Sequence, residues 1–237
     1  MNTNSNTYTV LYASAMVVVV AFLLAFVSSS LRPTQDKNEE LDKKKQILAA
    51  LNIRGIDNAA VEAKYKEVVL ADMIVKQDGT VMDEGKDKDK AGFRVKNKEI
   101  STDRLPVYQC ALEGDTLYVV PMTGRGLWGG LWGYVAVKNE PTPTVFGAYF
   151  SHESETAGLG ALISEQKFQD LFKGKRLYAD STCTQVDLTV VKNGTVSPDK
   201  AEFQVDGITG ATLTTNGVAH MVQSGLQMYH TFLRLNR

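Results

Sequence analysis

The chain has 237 residues, 43% of them hydrophobic, and its 26 lysines and arginines are offset by 27 acids for a net charge of −1. That length supports one substantial domain with attachments, and the balanced charge supplies no basic field for nucleic acid, for which no zinc-finger or RNA-binding motif is present either. Two cysteines, Cys110 and Cys183, lie far apart and form no CxxC pair. Thiol redox chemistry and zinc sites are therefore not expected, and two buried thiols are expected in preference to a disulfide.

Residues 1–9 read as a short N-terminal tail. From Tyr8 to Leu31 no charged residue occurs, and residues 10–31 are apolar for long enough to span a bilayer as a helix. A cleaved signal peptide is the rival reading. It needs a basic N-terminal region and a shorter apolar core, whereas Met1 to Thr7 contains no Lys or Arg; the run Ser28-Ser29-Ser30 would suit cleavage. Arg32, Lys37, Lys43, Lys44 and Lys45 all follow the span, so the positive-inside rule puts the remainder of the chain in the cytoplasm. Residues 32–55 read as a charged stalk helix with Leu41, Leu48 and Leu51 as a thin apolar stripe, interrupted by Gly55.

Residues 56–237 form the expected domain. Asp57 is placed to cap a helix whose inward face is Val61, Tyr65, Val68 and Val69. The alternating charges of Asp83 to Lys90 predict a solvated surface loop. Strands are predicted at Leu105–Leu112, Thr116–Pro121, Leu131–Lys138 and Thr144–Ser151, all rich in Val, Tyr and Phe and separated by turn residues. Ser164 to Gly174 reads as a helix with Phe168, Leu171 and Phe172 on one face. Val186–Val191, Asn193-Gly194 and Thr195-Val196 read as a hairpin, so the sequon Asn193-Gly194-Thr195 is taken as its turn. A last amphipathic helix carries Val218, Met221, Val222, Leu226, Tyr229 and Leu233 inward, with Thr214, Thr215 or Asn216 as its N-cap. The expected fold class is α+β, an antiparallel sheet with flanking helices, preceded by one N-terminal transmembrane helix.

Three stretches carry chemistry. In Asp206-Gly207-Ile208-Thr209-Gly210-Ala211-Thr212-Leu213-Thr214 a hydroxyl stands among residues too small to shield it, and a helix N-terminus follows that favours a phosphate. The same residues also suit an ordinary strand-to-helix turn. Gly124 to Gly133 is a glycine-rich turn bearing Leu127, Trp128 and Trp132; it could seal the core or offer flat apolar surface to a ring. His152 to Gly160 follows a strand. Its His152-Glu153 pair is no metalloenzyme motif, since no second His lies four residues on and the chain holds only 3 His.

These stretches resemble the FMN-binding family. Asp206 to Thr212 is similar to the acceptor motif Asp-x-x-(Ser/Thr)-Gly-Ala-Thr of proteins that carry FMN through a threonine phosphoester, and Glu155-Thr156-Ala157-Gly158-Leu159-Gly160 resembles the Glu-Thr-x-Gly-Leu-Gly signature, with Ala157 where proline is expected. The Gly-Leu-Trp-Gly turn resembles the branch formed by the C-type subunits of sodium-translocating NADH:quinone oxidoreductases; the G-type subunits of ferredoxin:NAD oxidoreductases share the span and the acceptor motif. The resemblance implies covalent FMN on Thr212, with Asp206, Thr209, Gly210, Ala211, Thr214, Leu127, Trp128, Glu155, Thr156, Gly158, Leu159 and Gly160 around it. Thr156 would bond flavin or phosphate, Leu159 would pack on the ring, and Glu155 would anchor its loop by accepting backbone or hydroxyl donors. It further implies an electron relay that binds neither NADH nor quinone, partnered by an FMN-bearing membrane subunit and metal-centre membrane subunits, and matured by a separate flavin transferase. It places the domain on the periplasmic side of the bacterial inner membrane, opposite to the positive-inside count. A non-redox, membrane-anchored binding module is the remaining alternative.

Overall fold

The computed structural model describes residues 5–138, 140–180 and 183–236, in two compact units divided between Lys43 and Lys44. One helix, α1 (Asn6–Ala50), covers the ranges expected as separate span and stalk helices, with Pro33 inside it. Its apolar stretch is long and apolar enough to cross a membrane, and none of it is buried within the protein.

Within the second unit the end of α1 belongs to the core. Ile47, Leu48, Ala50 and Leu51 are buried, so the thin stripe expected on a stalk is instead a packed face. The stop is set by Asn52 rather than Gly55. At φ 61° Asn52 takes the left-handed conformation, its N–H donates to Ala49 O (3.0 Å), and Ile53 N–H donates back to Leu48 O (2.9 Å), which together close the orphan carbonyls of the last turn. Asp57 precedes α2 (Asn58–Val68) as expected but makes no side-chain capping bond. The inward face of α2 is as read, with Val61, Tyr65 and Val68 buried.

A six-stranded sheet follows in the order β2-β1-β3-β4-β5-β6, antiparallel throughout. The strands are β1 (Val69–Val75), β2 (Val81–Asp83), β3 (Leu105–Leu112), β4 (Asp115–Arg125), β5 (Gly130–Lys138) and β6 (Thr144–His152). β3 to β6 match the expected strands, while β1 and β2 do not stand out in the sequence. The loop after β2 is tied down rather than merely solvated. Asp72 N–H donates to Gly85 O, the buried Asp72 carboxylate accepts Ala91 and Phe93 N–H (2.8 and 2.9 Å), and Tyr65 OH donates to Lys88 O. Lys44, 3% exposed, pairs with Glu62 and Asp89.

The outer edge of β6 is closed by side chains. Asn52 Nδ2 donates to Phe146 O, Arg54 Nη2 to Ala148 O and Gln169 Nε2 to Phe150 O, each at 2.9 Å. Gln169 ends α3 (Gln166–Gln169), a short helix flanked by 3-10 turns where a longer one was expected. Phe168 and Phe172 are buried, but Leu171 is 43% exposed and lies off their face.

The expected hairpin at Asn193-Gly194 does not form. β7 (Thr189–Val191) pairs parallel with β8 (Gln204–Asp206). A two-residue type I′ turn needs positive φ at both central positions, and here Gly194 has it while Asn193 does not; Pro198 then opens a 3-10 turn in place of a return strand. The last helix, α4 (Thr212–Leu235), lies on β4. A Cβ at Gly225 would come within 2.7 Å of Met122 Cβ, and one at Gly124 within 2.7 Å of Met221 Cβ, so the two elements approach as closely as their backbones allow. Val218, Met221, Val222, Leu226, Tyr229 and Leu233 are all fully buried, as their spacing predicts. Both cysteines are free and buried.

Replacing Asn52 tests its two roles separately. Asn52→Gly keeps the helix stop and loses the Phe146 bond, for an expected cost of about 1 kcal/mol; Asn52→Ala adds the left-handed strain and costs about 2–3 kcal/mol, both read by denaturant unfolding of the full chain in detergent.

Candidate functional site

The stretch from Asp206 to Thr214 leaves β8 at Asp206 and passes into the first turn of α4. Gly207 N–H donates to Val191 O at 2.8 Å, and Ile208 N–H donates to the Thr215 hydroxyl at 3.1 Å. Gly210 sits at φ +77°, where a Cβ would meet Leu159 Cδ2 at 3.1 Å. The helix starts at Thr212, earlier than the expected caps, with Ala211 in the N-cap position and no side-chain cap. The first amides of a helix have no intrahelical acceptor, so those beside Thr212 remain open to an anion.

The hydroxyls in this stretch differ in their commitments. Thr214 and Thr215 are each 2% exposed. Thr214 Oγ1 donates to Glu155 Oε2 at 2.5 Å, and Thr215 Oγ1 accepts Ile208 N–H. Thr209 Oγ1 accepts from Asn193 Nδ2. Thr212 is exposed, and among the described residues no hydrogen bond reaches its hydroxyl. Asp206 does not turn to Thr212; its carboxylate accepts Gly194 N–H at 2.8 Å and holds the Lys192–Thr195 turn.

The β4–β5 turn is closed by Gly126 N–H donating to Gly129 O (2.9 Å). Leu127 and Trp128 at its tip are 48% and 65% exposed, so they form outward apolar surface and do not seal the core. Trp132 lies elsewhere, half-buried, with its indole N–H on Gln46 Oε1. The loop after β6 brings Leu159, 41% exposed, against Gly210, while Thr156 and Gly158 stand in the open. Leu213, 59% exposed, adds an apolar residue beside Thr212 that the motif resemblance does not include; with the helix expected to start later, no sequence signal pointed to it.

Glu155 joins these pieces. It is 7% exposed; Oε1 accepts Trp128 N–H at 2.9 Å and Oε2 accepts the Thr214 hydroxyl. Its own N–H donates to His152 Nδ1 at 3.2 Å. Ser154 Oγ adds a bond to Trp128 O and Glu153 Oε2 accepts Gly130 N–H. The arrangement offers one uncommitted alcohol at an uncapped helix N-terminus, beside exposed leucines and an indole. Those groups fit a phosphate ester and a flat aromatic ring. Among the described residues no cluster that could hold a metal ion is present.

Burial pushes the Glu155 carboxyl up, but the Thr214 hydroxyl and the Trp128 and Gly129 amides outweigh it, and the net direction is below the usual carboxylate range. Folded protein therefore binds this proton less readily than unfolded chain. The stabilisation is complete above about pH 4.3, the unfolded value, and is lost as pH falls through the folded one. The thermal-unfolding gap between wild type and Glu155→Gln is expected to be widest at neutral pH and to shrink below about pH 4.

The FMN-binding domain family matches residues 126–227, which takes in all three loops. The C-type subunit of the Na(+)-translocating NADH-quinone reductase of Pseudomonas aeruginosa is 34% identical over 93% of this chain and 91% of its own length. The corresponding subunit of Haemophilus ducreyi is 32% identical over 85% and 82%. Among solved structures, that of the same type of subunit from Parabacteroides distasonis superposes with a TM-score of 0.76 at 34% identity, covering 86% of this chain and 96% of that one. NqrC of Shewanella oneidensis gives 0.67 at 25% identity, over 84% and 98%. With a fold, a domain match and near-full-length relatives in agreement, the chain belongs to the NqrC family, the C-type subunits of the Na(+)-translocating NADH-quinone reductase.

Proposed function

We propose that the protein is the FMN-carrying electron-transfer subunit of a Na(+)-translocating NADH-quinone reductase, with FMN esterified through its phosphate to Thr212. The observation that carries the attachment site is the inventory of hydroxyls. Thr209, Thr214 and Thr215 spend theirs on Asn193, Glu155 and Ile208, whereas that of Thr212 is exposed and uncommitted among the described residues. The ferredoxin:NAD alternative is not favoured, because the near-full-length relatives are C-type subunits of the sodium-translocating enzyme.

The bound flavin supplies one-electron chemistry, and the chain supplies position and polarity. Open amides at the start of α4 stabilise the phosphate charge. Leu127, Trp128, Leu159 and Leu213 offer apolar surface to the ring. Gly210 and Ala211 keep bulk away from the ester. Thr156, exposed on the neighbouring loop, is a donor for flavin or phosphate. No nucleotide-activating motif is visible in the sequence, so a separate flavin transferase makes the bond. The FMN-bearing and metal-centre membrane subunits of the complex are the relay's neighbours. The domain lies on the periplasmic side of the inner membrane, as the resemblance to the FMN-binding family implies and against the positive-inside count.

A denaturing gel under ultraviolet light is expected to show fluorescence in the band of this chain, with an intact mass above that of the polypeptide by one FMN less water. Thr212→Ala abolishes the fluorescence, while Thr209→Ala and Thr214→Ala only lower it; fluorescence persisting in Thr212→Ala overturns the assignment. For topology, alkaline phosphatase fused after Arg237 is expected to be active, and a phosphatase that stays inactive there puts the domain in the cytoplasm.

A further inference from the structure

Two glycines of the site are occupied, in effect, by one carboxylate. A Cβ at Gly126 would lie 2.4 Å from Glu155 Oε1, and a Cβ at Gly160 would lie 2.5 Å from Oε2 and 2.6 Å from Thr214 Oγ1. Neither glycine has a positive φ, so what each position requires is the absence of a side chain. The cradle accepts one group, the end of Glu155, and that group reaches chain segments 27 and 59 residues away in sequence. One oxygen takes the amide of Trp128 at the tip of the β4–β5 turn; the other takes a hydroxyl in the first turn of α4, on the residue two after Thr212. Bonds to a carboxylate are about twice as strong as neutral ones, and here they are shielded from water.

We propose that Glu155 is a positioning residue whose carboxylate latches the Leu127–Trp128 turn to the first turn of α4, so that Thr212 and the apolar surface are presented together to an incoming flavin phosphate. The idea rests on the reading of Thr212 as the FMN acceptor and adds to it. Glu155 itself contacts no flavin. It acts through Thr214 and Trp128, and Gly126 and Gly160 exist to seat it. Gln in its place keeps the shape and can still accept Trp128 N–H through Oε1 and donate to Thr214 Oγ1 through Nε2, so what it removes is the charge, leaving two weaker neutral bonds. Thr214→Val removes the bond to α4 altogether while conserving volume.

The test uses the full chain in membranes, expressed with a flavin transferase and FAD, and follows covalent FMN per polypeptide with time. Glu155→Gln and Thr214→Val are each expected to slow loading about tenfold, the scale of one charge-assisted bond. The double variant is expected to lose less than the product of the two single losses, because both weaken one shared interaction. Thr214→Ser restores most of the loading lost in Thr214→Val. In the loaded fraction of Glu155→Gln the flavin midpoint potential is expected to rise, since a fixed negative charge beneath the site has gone; a purely architectural role leaves it unmoved. Wild-type loading and an unchanged potential in Glu155→Gln overturn the proposal, as does a double variant in which the two losses multiply. Should the wild type carry no covalent flavin at all, the functional reading fails instead, and the latch is then judged in the Thr212→Ala background. There the Glu155 and Thr214 substitutions must be non-additive in melting temperature, and additivity rejects it.

Discussion

Everything at the site depends on how closely α4 approaches β4. Gly225 lies against Met122 and Gly124 against Met221, so each backbone gives up a side chain where the other element presents its methionine. Met suits such a contact because its unbranched, polarisable chain fills an irregular gap. The seam continues upward, where a Cβ at Gly217 would meet Arg125 O at 2.4 Å. This fixes the height at which α4 begins. Its first turn therefore arrives level with the β4–β5 turn and the loop after β6, and a one-residue slip along the helix would carry Thr214 away from Glu155.

That dependence also explains what the sequence could and could not reveal. The face of α4 was readable from apolar spacing, and β3 to β6 from runs of Val, Tyr and Phe, because those patterns report burial directly. β1 was hidden because Val69 follows α2 without a break and its strand reads as more helix, with a buried Asp72 interrupting the apolar run. The helix stop at Asn52 was missed because Gly55 is the more familiar signal, whereas Asn52 also had a distant carbonyl, Phe146 O, to hold it in place. No local pattern announces a partner 94 residues away. The hairpin failed for a similar reason, since a promising turn was overruled by Pro198 and by the pairing of β7 with β8.

At the site, residue types were legible and their partners were not. The acceptor stretch, the glycine-rich turn and the loop after β6 were each visible as short motifs. That Thr214 spends its hydroxyl on Glu155, that Asp206 holds the Gly194 turn, and that Leu127 and Trp128 face outward are tertiary facts. The motif register singled out Thr212 over Thr209; in the structure both are exposed, and the amide of Asn193 engages only Thr209.

The closed edge of β6 bears on assembly. With Phe146, Ala148 and Phe150 carbonyls taken by Asn52, Arg54 and Gln169, a foreign strand that approached there would have to displace three side chains before forming its first ladder bond. The opposite edge is the short β2, whose Val81, Met82 and Asp83 are all exposed. The sheet is thus asymmetric in what it will accept. A neighbouring chain can lengthen it only beyond β2, across the sheet from the strand that leads into the Glu155 loop, and that loop is spared competition from strand addition.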